Sequence, residues 1–491
     1  MKHMLFVAAL AAAPALAAQQ AVPAQLSLAD AIAVARANNP SYRQVLNDRR
    51  PAAWSARSAM SALLLPSVSA SAGVGYTGSG EQSFLGSNFR QSVATMSSNY
   101  DVGATWQLSG ATLSQPGLAR AQLAATDADI TGAARTLATA VTQQYLTVMQ
   151  AQENATVAAR QLERNVEFLK LAEARFTVGQ TTLIDVRQAQ VERGQAEVIL
   201  LRARNAVSVE KLRLFEQLGV SAPVDIATVQ LTDSFQVQAP SWQLEQLLQM
   251  AERQNPALQA LRARERSASW GVRAAASAYG PSLSFSVGWS GFTQQFTDLN
   301  PIIASQQASS AIGLQECQDE NTIRANAGVT PPRDCSVYVW SPAQEAAIRA
   351  QNSVYPFDFT KQPFQAGLRV SLPLFTNFSR TQRVSEAKAA HNDMEEFVRQ
   401  RALAVQTEVS QAYLTLMTLH QSIAIQDTSR SAAREQLQLA TERYRVGSGT
   451  FFNLLDAQVV TQRAEFEYVN AIYDYHKAVA TLESAVGQAL R

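Results

Sequence analysis

Val141-Thr-Gln-Gln-Tyr-Leu-Thr-Val-Met149 returns as Val409-Ser-Gln-Ala-Tyr-Leu-Thr-Leu-Met417, 268 positions later. The same offset lays Arg175-Phe-Thr-Val-Gly179 on Arg443-Tyr-Arg-Val-Gly447, Ala189-Gln190 on Ala457-Gln458, and Gly219 on Gly487. About 80 residues therefore align without a gap. The earlier parts of the two halves match at a smaller offset. Asn39-Pro40 and Trp54 recur as Asn255-Pro256 and Trp270, 216 positions on, and Pro66 and Gly73 as Pro281 and Gly288, 215 positions on. The second half has thus grown by 53 residues, most of them within 294–362. The chain reads as a tandem duplication, with repeats at 19–235 and 236–491; the period is far too long for a solenoid.

Each repeat carries a long helical signal. Val398, Ala402, Val405, Val409, Ala412, Leu416, Leu419 and Ile423 follow a 4-3 spacing, the heptad seam of coiled-coil packing. The first repeat has a weaker version through Ile130, Ala134, Leu137, Val141, Gln144, Val148, Ala151 and Ala155. The pattern predicts helices over roughly 116–178 and 380–446. At about 1.5 Å per residue each is on the order of 95–100 Å long. Shorter helices are expected at 40–64, 182–218, 256–279 and 450–486. Laid end to end, each pair matches one long helix, so a continuous helix packs against two stacked half-helices, their junction falling near the 220–240 link.

Each repeat also carries two runs of strict alternation. Val68, Ala70, Ala72, Val74 and Tyr76 alternate with Ser and Gly; Tyr100, Val102, Ala104, Trp106 and Leu108 alternate with Asp101, Gly103, Thr105 and Gln107. The second repeat repeats the rhythm through Leu283, Phe285, Val287 and Trp289, and through Ala366, Leu368, Val370, Leu372 and Leu374. Strands are expected at about 67–78, 98–109, 282–293 and 364–375. Period-two runs of this length suit membrane-spanning strands with one face to lipid and one to water, and equally a half-buried soluble sheet. Trp106, Trp289, Tyr76 and Phe292 are candidate interfacial aromatics.

Residues 1–18 read as a secretory signal: Lys2 and His3, an apolar core from Met4 to Ala13, and Ala15-Leu16-Ala17 at the cleavage site. Its apolar run is too short to span a bilayer, and no 18-residue apolar stretch follows. The exported chain is therefore soluble or a β-barrel. Cys317 and Cys335, the only cysteines, lie in the polar segment 294–362, and in an exported protein they are expected to pair. The net charge of +1 gives no electrostatic case for nucleic acid. His391, His420 and His476 stand apart in helical segments, without metal-ligand spacing or a nucleophile partner, and no phosphate-binding loop is present, so no enzyme is expected.

Four strands cannot close a barrel, and open edges are not tolerated in lipid, so a membrane reading requires oligomerisation. Physics alone allows a dimer, trimer or tetramer. The tandem halves, each with a strand pair, a long helix and an R-[FY]-x-V-G turn, resemble the TolC family of outer-membrane efflux and secretion channels. The most specific stretches are Ala440-Thr-Glu-Arg-Tyr-Arg-Val-Gly447, Phe452-Asn-Leu-Leu-Asp-Ala-Gln458, Tyr473-Asp-Tyr475 and Leu372-Pro-Leu-Phe375. The resemblance implies a mixed α and transmembrane-β fold. A homotrimer would form a twelve-strand barrel in outer-membrane lipid, continuous with a coiled-coil helical tunnel across the periplasm. It implies an exit duct for a tripartite efflux pump or a type I secretion system, docked on a periplasmic adaptor and an RND, ABC or MFS inner-membrane pump. It implies no cofactor, and places the 294–362 loop outside the cell.

The resemblance also assigns residues. Gly179 and Gly447 mark tight turns at the periplasmic tip, flanked by Val178, Val446, Arg175 and Arg443, where the adaptor would dock. Asp185, Asn453 and Asp456 fall where family members ring the closed aperture; Thr182-x-x-Asp185 equally reads as a helix cap. Tyr444 stands where members often carry a tyrosine that restrains the tip, whereas Asn453 and Gly449 depart from the family's acidic and basic pattern. Asp101 and Arg369 fall on the watery side of the strands, as modifiers of passage or as plain solvated wall. The competing reading is a periplasmic coiled-coil adaptor or structural protein without a barrel.

Overall fold

The computed structural model describes residues 25–84 and 87–490, and side chains there outside 81–92. The expected signal at 1–18 lies outside the described residues. In chain order the first repeat holds β1 (Gln25–Leu26), α1 (Leu28–Asn38), α2 (Pro40–Asn47), α3 (Arg49–Leu64), β2 (Ser67–Thr77), β3 (Gly80–Phe84) and β4 (Ser87–Ser92). It continues with β5 (Thr95–Leu108), α4 (Gly110–Thr177), α5 (Leu183–Leu218) and β6 (Gln230–Leu231). The second holds α6 (Leu244–Gln254), α7 (Pro256–Ala276), β7 (Ser282–Phe296), α8 (Asn300–Asn326), α9 (Pro342–Gln351) and β8 (Thr360–Lys361). Last come β9 (Gln365–Ser371), α10 (Ser379–Arg445) and α11 (Phe451–Val486). Among the described residues no helix is long and apolar enough to cross a membrane.

The described residues divide into two compact units: a sheet unit within 58–115 and 273–382, and a helical unit of 25–57, 116–272 and 383–490. In the sheet unit, β2, β5, β7 and β9 lie side by side, all antiparallel, with β8 also on β7. The register sorts the two faces. Ala70, Val102 and Trp289 share one row, and Trp106, Phe285 and Leu368 another. The polar rows include Ser71, Asp101 and Ser290, and Gln107, Ser284 and Arg369. Because side chains alternate with period two, this register puts the apolar set on one face and the polar set on the other. The apolar face is bare: Val68, Val74, Trp289, Leu368 and Val370 are all exposed.

Three expectations for this unit need correction. The 294–362 segment is no plain loop, for it contains α8 and α9. Its Gln-, Ser- and Asn-rich composition hides the helices, but Ser341 and Gln344 form a capping box with Pro342 at the first helical position. Cys317 and Cys335 are joined in a disulfide, tying α8 to the segment after it. The fourth strand is shorter than expected at its far end, stopping at Ser371, because Pro373 has no N–H for the ladder. At its near end it begins as β8, which pairs Thr360 and Lys361 with Phe292 and Gly291. A further hairpin, β3–β4, fills the connection between the first two strands. The long helix α4 also starts six residues early, at Gly110, where Ser109 and Thr112 exchange backbone-to-hydroxyl bonds of 2.8 and 3.2 Å.

In the helical unit the neighbours are α5, α4, α11 and α10, in that order. Asn165 on α4 donates to the Glu192 carbonyl on α5 at 3.1 Å. On its other side α4 meets α11, where Gln150 donates to Asn470 at 2.8 Å and Lys477 donates to Gln150 at 2.6 Å. Thr461 on α11 donates to the Ala433 carbonyl on α10 at 2.9 Å. Glu465, buried on α11, receives Arg164 of α4 and Arg434 of α10, both at 3.0 Å, and so ties three helices together.

The half-helices meet at two equivalent junctions. Asn39 caps α2 by accepting from Tyr42 N at 3.1 Å and donates to the Gln217 carbonyl at the end of α5, at 2.9 Å. Asn255 does the same, accepting from Leu258 N at 3.2 Å and donating to the Ala485 carbonyl of α11 at 2.9 Å. Gly219 and Gly487, in the left-handed region at φ of 73° and 86°, close α5 and α11 there. A Cβ on Gly219 would lie 2.7 Å from the Asn38 carbonyl oxygen and the Asn39 Cα; on Gly487, 2.7 Å from the Gln254 oxygen. The contact therefore requires glycine twice over, for conformation and for space. Two apolar cores flank the junctions. One gathers Leu26, Ala31, Val141, Tyr145 and Phe215, the other Leu247, Ala251, Val409, Leu416 and Leu482. The short helices α1 and α6 and the parallel β1–β6 pair, absent from the sequence reading, supply part of this cover.

Candidate functional site: the paired helical hairpins

The turns α4–α5 and α10–α11 close two helical hairpins. Gly179 and Gly447 both have φ > 0, at 76° and 84°. At each turn the amide after the glycine returns to the arginine carbonyl, Gln180 N to Arg175 O at 2.8 Å and Ser448 N to Arg443 O at 3.0 Å. That is the Schellman closure, which satisfies orphan carbonyls with a left-handed residue L side chains resist. The space around Gly179 is open to 4 Å, and Gly447 has only Arg175 near it, at 3.5 Å. Val178 and Val446 are two-thirds or more exposed. Around them Phe176, Leu183, Ile184 and Phe452 are exposed too. Sequence reasoning missed these four; their signal was apolar residues on both sides of each turn.

The equivalent arginines take opposite roles. Arg443 is exposed. Arg175 is buried, so it is no surface flank of the tip as expected, but a clamp between hairpins. Its Nη1 donates to the Tyr444 carbonyl of α10, its Nη2 donates to the Gln180 carbonyl at 3.1 Å, and its guanidinium sits 4.5 Å from the centre of the Tyr444 ring. Tyr444 is itself buried and meets Phe451 edge-on, at 5.7 Å between ring centres. Its counterpart Phe176 is exposed. One apolar cluster runs through both hairpins, with Leu169, Ala172, Val186 and Ala189 from the first and Leu437, Tyr444, Phe451, Leu454 and Ala457 from the second.

Asp185 is placed as a cap. Thr182 N donates to its carboxylate at 3.2 Å, Asp185 N donates back to the Thr182 hydroxyl at 3.4 Å, and the Thr181 hydroxyl also donates to it. Burial raises the carboxyl pKa, but these hydrogen bonds and the nearby Arg175 charge outweigh it and hold it below the usual value. Asn453 and Asp456 are exposed on α11, one turn apart, with Asn453 N bonded to the Thr450 hydroxyl at 3.3 Å. They share their face with Phe452, Val459 and Val460. The hydrogen bonds of Asp185 go to Thr181 and Thr182, not to Asn453 or Asp456. No His or Cys stands among these tip residues. In the sheet unit Asp101 and Arg369 occupy the polar face, opposite Ser290 and Ser284 respectively.

A four-stranded sheet bare on its apolar face, joined in one chain to paired coiled-coil hairpins, is the architecture expected of an outer-membrane channel with a helical extension. The sequence profile described as outer membrane efflux protein matches residues 31–220 and 345–488, more than half of the chain. The chain belongs to the outer membrane efflux protein family. It is an outer-membrane efflux channel that extends into the periplasm, and members of its family work with adaptor and inner-membrane pump components.

Solved structures share the fold. The outer-membrane channel OprN matches at a TM-score of 0.69 and 17% identity, covering 94% of this chain and 89% of its own. VceC from Vibrio cholerae matches at 0.67 and 16%, covering 94% and 97%. The open state of the Neisseria gonorrhoeae MtrE channel matches at 0.66 and 19%, covering 94% and 89%. A comparison with curated protein sequences finds no match.

Proposed function

We propose that three copies of this chain share one twelve-strand barrel and one helical tunnel, and that the paired hairpins form its periplasmic aperture. The observation that carries this is the pair of open edges, β2 and β9, on a sheet whose apolar face is bare. Unpaired backbone edges in hydrocarbon cost several kcal/mol per group, so the sheet must continue into a neighbour. The helical unit supports the same reading. Its outer members α5 and α10 each carry an unburied apolar stripe. On α5 it runs through Ile184, Val191, Val198 and Leu212 at multiples of seven residues; on α10, through Leu403, Leu414 and Ile425 at eleven. Different stripes at opposite ends of one layer suit a head-to-tail contact, which closes a ring.

Cargo would pass through the tunnel without chemistry. The exposed turns at Gly179 and Gly447, with Val178, Val446 and Arg443, offer the docking surface for a periplasmic adaptor. Asn453 and Asp456, on the exposed face of α11, are the candidate aperture lining, where a ring of carboxylates favours cations. The adaptor and the RND, ABC or MFS pump would determine the cargo. Light scattering on the detergent-purified chain should give three copies per particle with heat-modifiable migration. A monomeric particle released by osmotic shock would instead favour the periplasmic adaptor reading.

A further inference from the structure

Glu265 on α7, with His391 and Glu395 on α10, forms the one group of His and acidic side chains among the described residues whose ligand atoms lie within 4.8 Å of one another. His391 Nε2 is 3.5 Å from Glu265, and Nδ1 is 3.9 Å from Glu395. The duplication shows what is unusual here. Glu265 corresponds to Arg49, 216 positions earlier, and Glu395 to Asp127, 268 positions earlier. In the first repeat those two form an ion pair between α3 and α4 at 2.8 Å. The second repeat has a carboxylate at both positions, and among the described residues neither is paired with Lys or Arg. Like charges across a helix interface repel. His391, where the first repeat has Leu123, stands between them.

We propose that a divalent transition-metal ion of the zinc class binds here and supplies the positive charge that Arg49 supplies in the first repeat. One imidazole and two carboxylates are a donor set that zinc accepts, with bonds of about 2.0–2.2 Å. Two such donors at a tetrahedral angle are about 3.3–3.5 Å apart, the separation that His391 Nε2 and Glu265 already have. Glu395, one helical turn from His391 on the same face, either completes the shell or accepts from the Nδ1–H and fixes the ring, the usual support of a metal-bound histidine. The ion clamps α7 onto α10.

The test is zinc titration by calorimetry on the full-length protein in detergent, stripped with chelator, with thermal unfolding followed in parallel. The expected result is one saturable ion per chain and a higher unfolding temperature with zinc. His391→Gln should weaken binding more than tenfold, and Glu395→Gln roughly 10–100-fold if it orients the ring. Glu265→Arg rebuilds the first repeat's charge pattern, so it should keep the metal-loaded stability while losing its response to zinc. The proposal is overturned by an absence of saturable binding, or by binding undiminished in His391→Gln. It is equally overturned if zinc leaves the unfolding temperature of the chelator-stripped protein unchanged.

Discussion

Replacing Arg175 by Ala removes a buried side chain that bonds both hairpins at the tip. Arg175 makes two hydrogen bonds to carbonyls, those of Tyr444 and Gln180, and a cation–π contact at 4.5 Å. Only the bond to Tyr444 and the ring contact cross between hairpins. A hydrogen bond from a charged donor contributes about 1.5–3 kcal/mol, and a partly desolvated cation–π contact about 0.5–2 kcal/mol. Water reaching the freed Tyr444 carbonyl recovers part of this, leaving about 3 kcal/mol that favours the joined arrangement. At 1.4 kcal/mol per decade, its loss raises the open-to-closed ratio roughly a hundredfold or more. Planar-bilayer recording on the purified protein is the assay. Arg175→Ala should show larger or more frequent conductance, while Arg443→Ala, at the exposed equivalent, should record like the parent. Arg175→Lys should fall between, because it keeps the charge and loses the forked geometry. A folded Arg175→Ala protein with parental conductance would refute the clamp.

Gly219→Ala and Gly487→Ala should each destabilise by about 2–4 kcal/mol, from left-handed strain and collision with backbone, measured by denaturant unfolding of the purified protein; Gly194→Ala, with nothing within 4 Å and no positive φ, is the harmless control. Asp185 has a folded pKa below its ordinary value of 3.8. Its contribution is therefore complete above that value and is lost as pH falls through the folded pKa. Acidification below pH 3.8 should loosen the α5 cap in hydrogen exchange, and Asp185→Asn should flatten that response. Leu368→Arg, on the apolar face of β9, should cost about 2–4 kcal/mol of membrane stability where it meets the bilayer centre, whereas Ser284→Arg on the polar face should be tolerated; equal losses in a folding assay into lipid vesicles would contradict the assigned faces.

The site was half legible in the sequence. Gly179 and Gly447 were marked by the repeated R-[FY]-x-V-G turn, and both are left-handed turns in an open setting. Asp185 had two readings, and its geometry is that of a cap. What the motif concealed was the inequality of its copies: the same five-residue pattern buries Arg175 and exposes Phe176 in one hairpin, then exposes Arg443 and buries Tyr444 in the other. An internal repeat states that two segments fold alike, but not which of them faces its twin.

Features that depend on neighbours along the chain could be read from the residues. Alternation over ten residues specifies strands, a 4-3 apolar spacing specifies long helices, and glycine after a helix specifies the reversals. Features that depend on distant partners emerged with the folded arrangement. Asn39 and Gly219 were each visible as landmarks of the repeat, yet only the fold places a Cβ-free Gly219 against Asn39, 180 positions away. The helices inside 294–362, the parallel β1–β6 pair and the Glu265–His391–Glu395 group belong to the same class. Periodicity encodes the angle between successive side chains, so it records which face of an element is apolar. It carries no information on which other element covers that face, and that choice is made by packing.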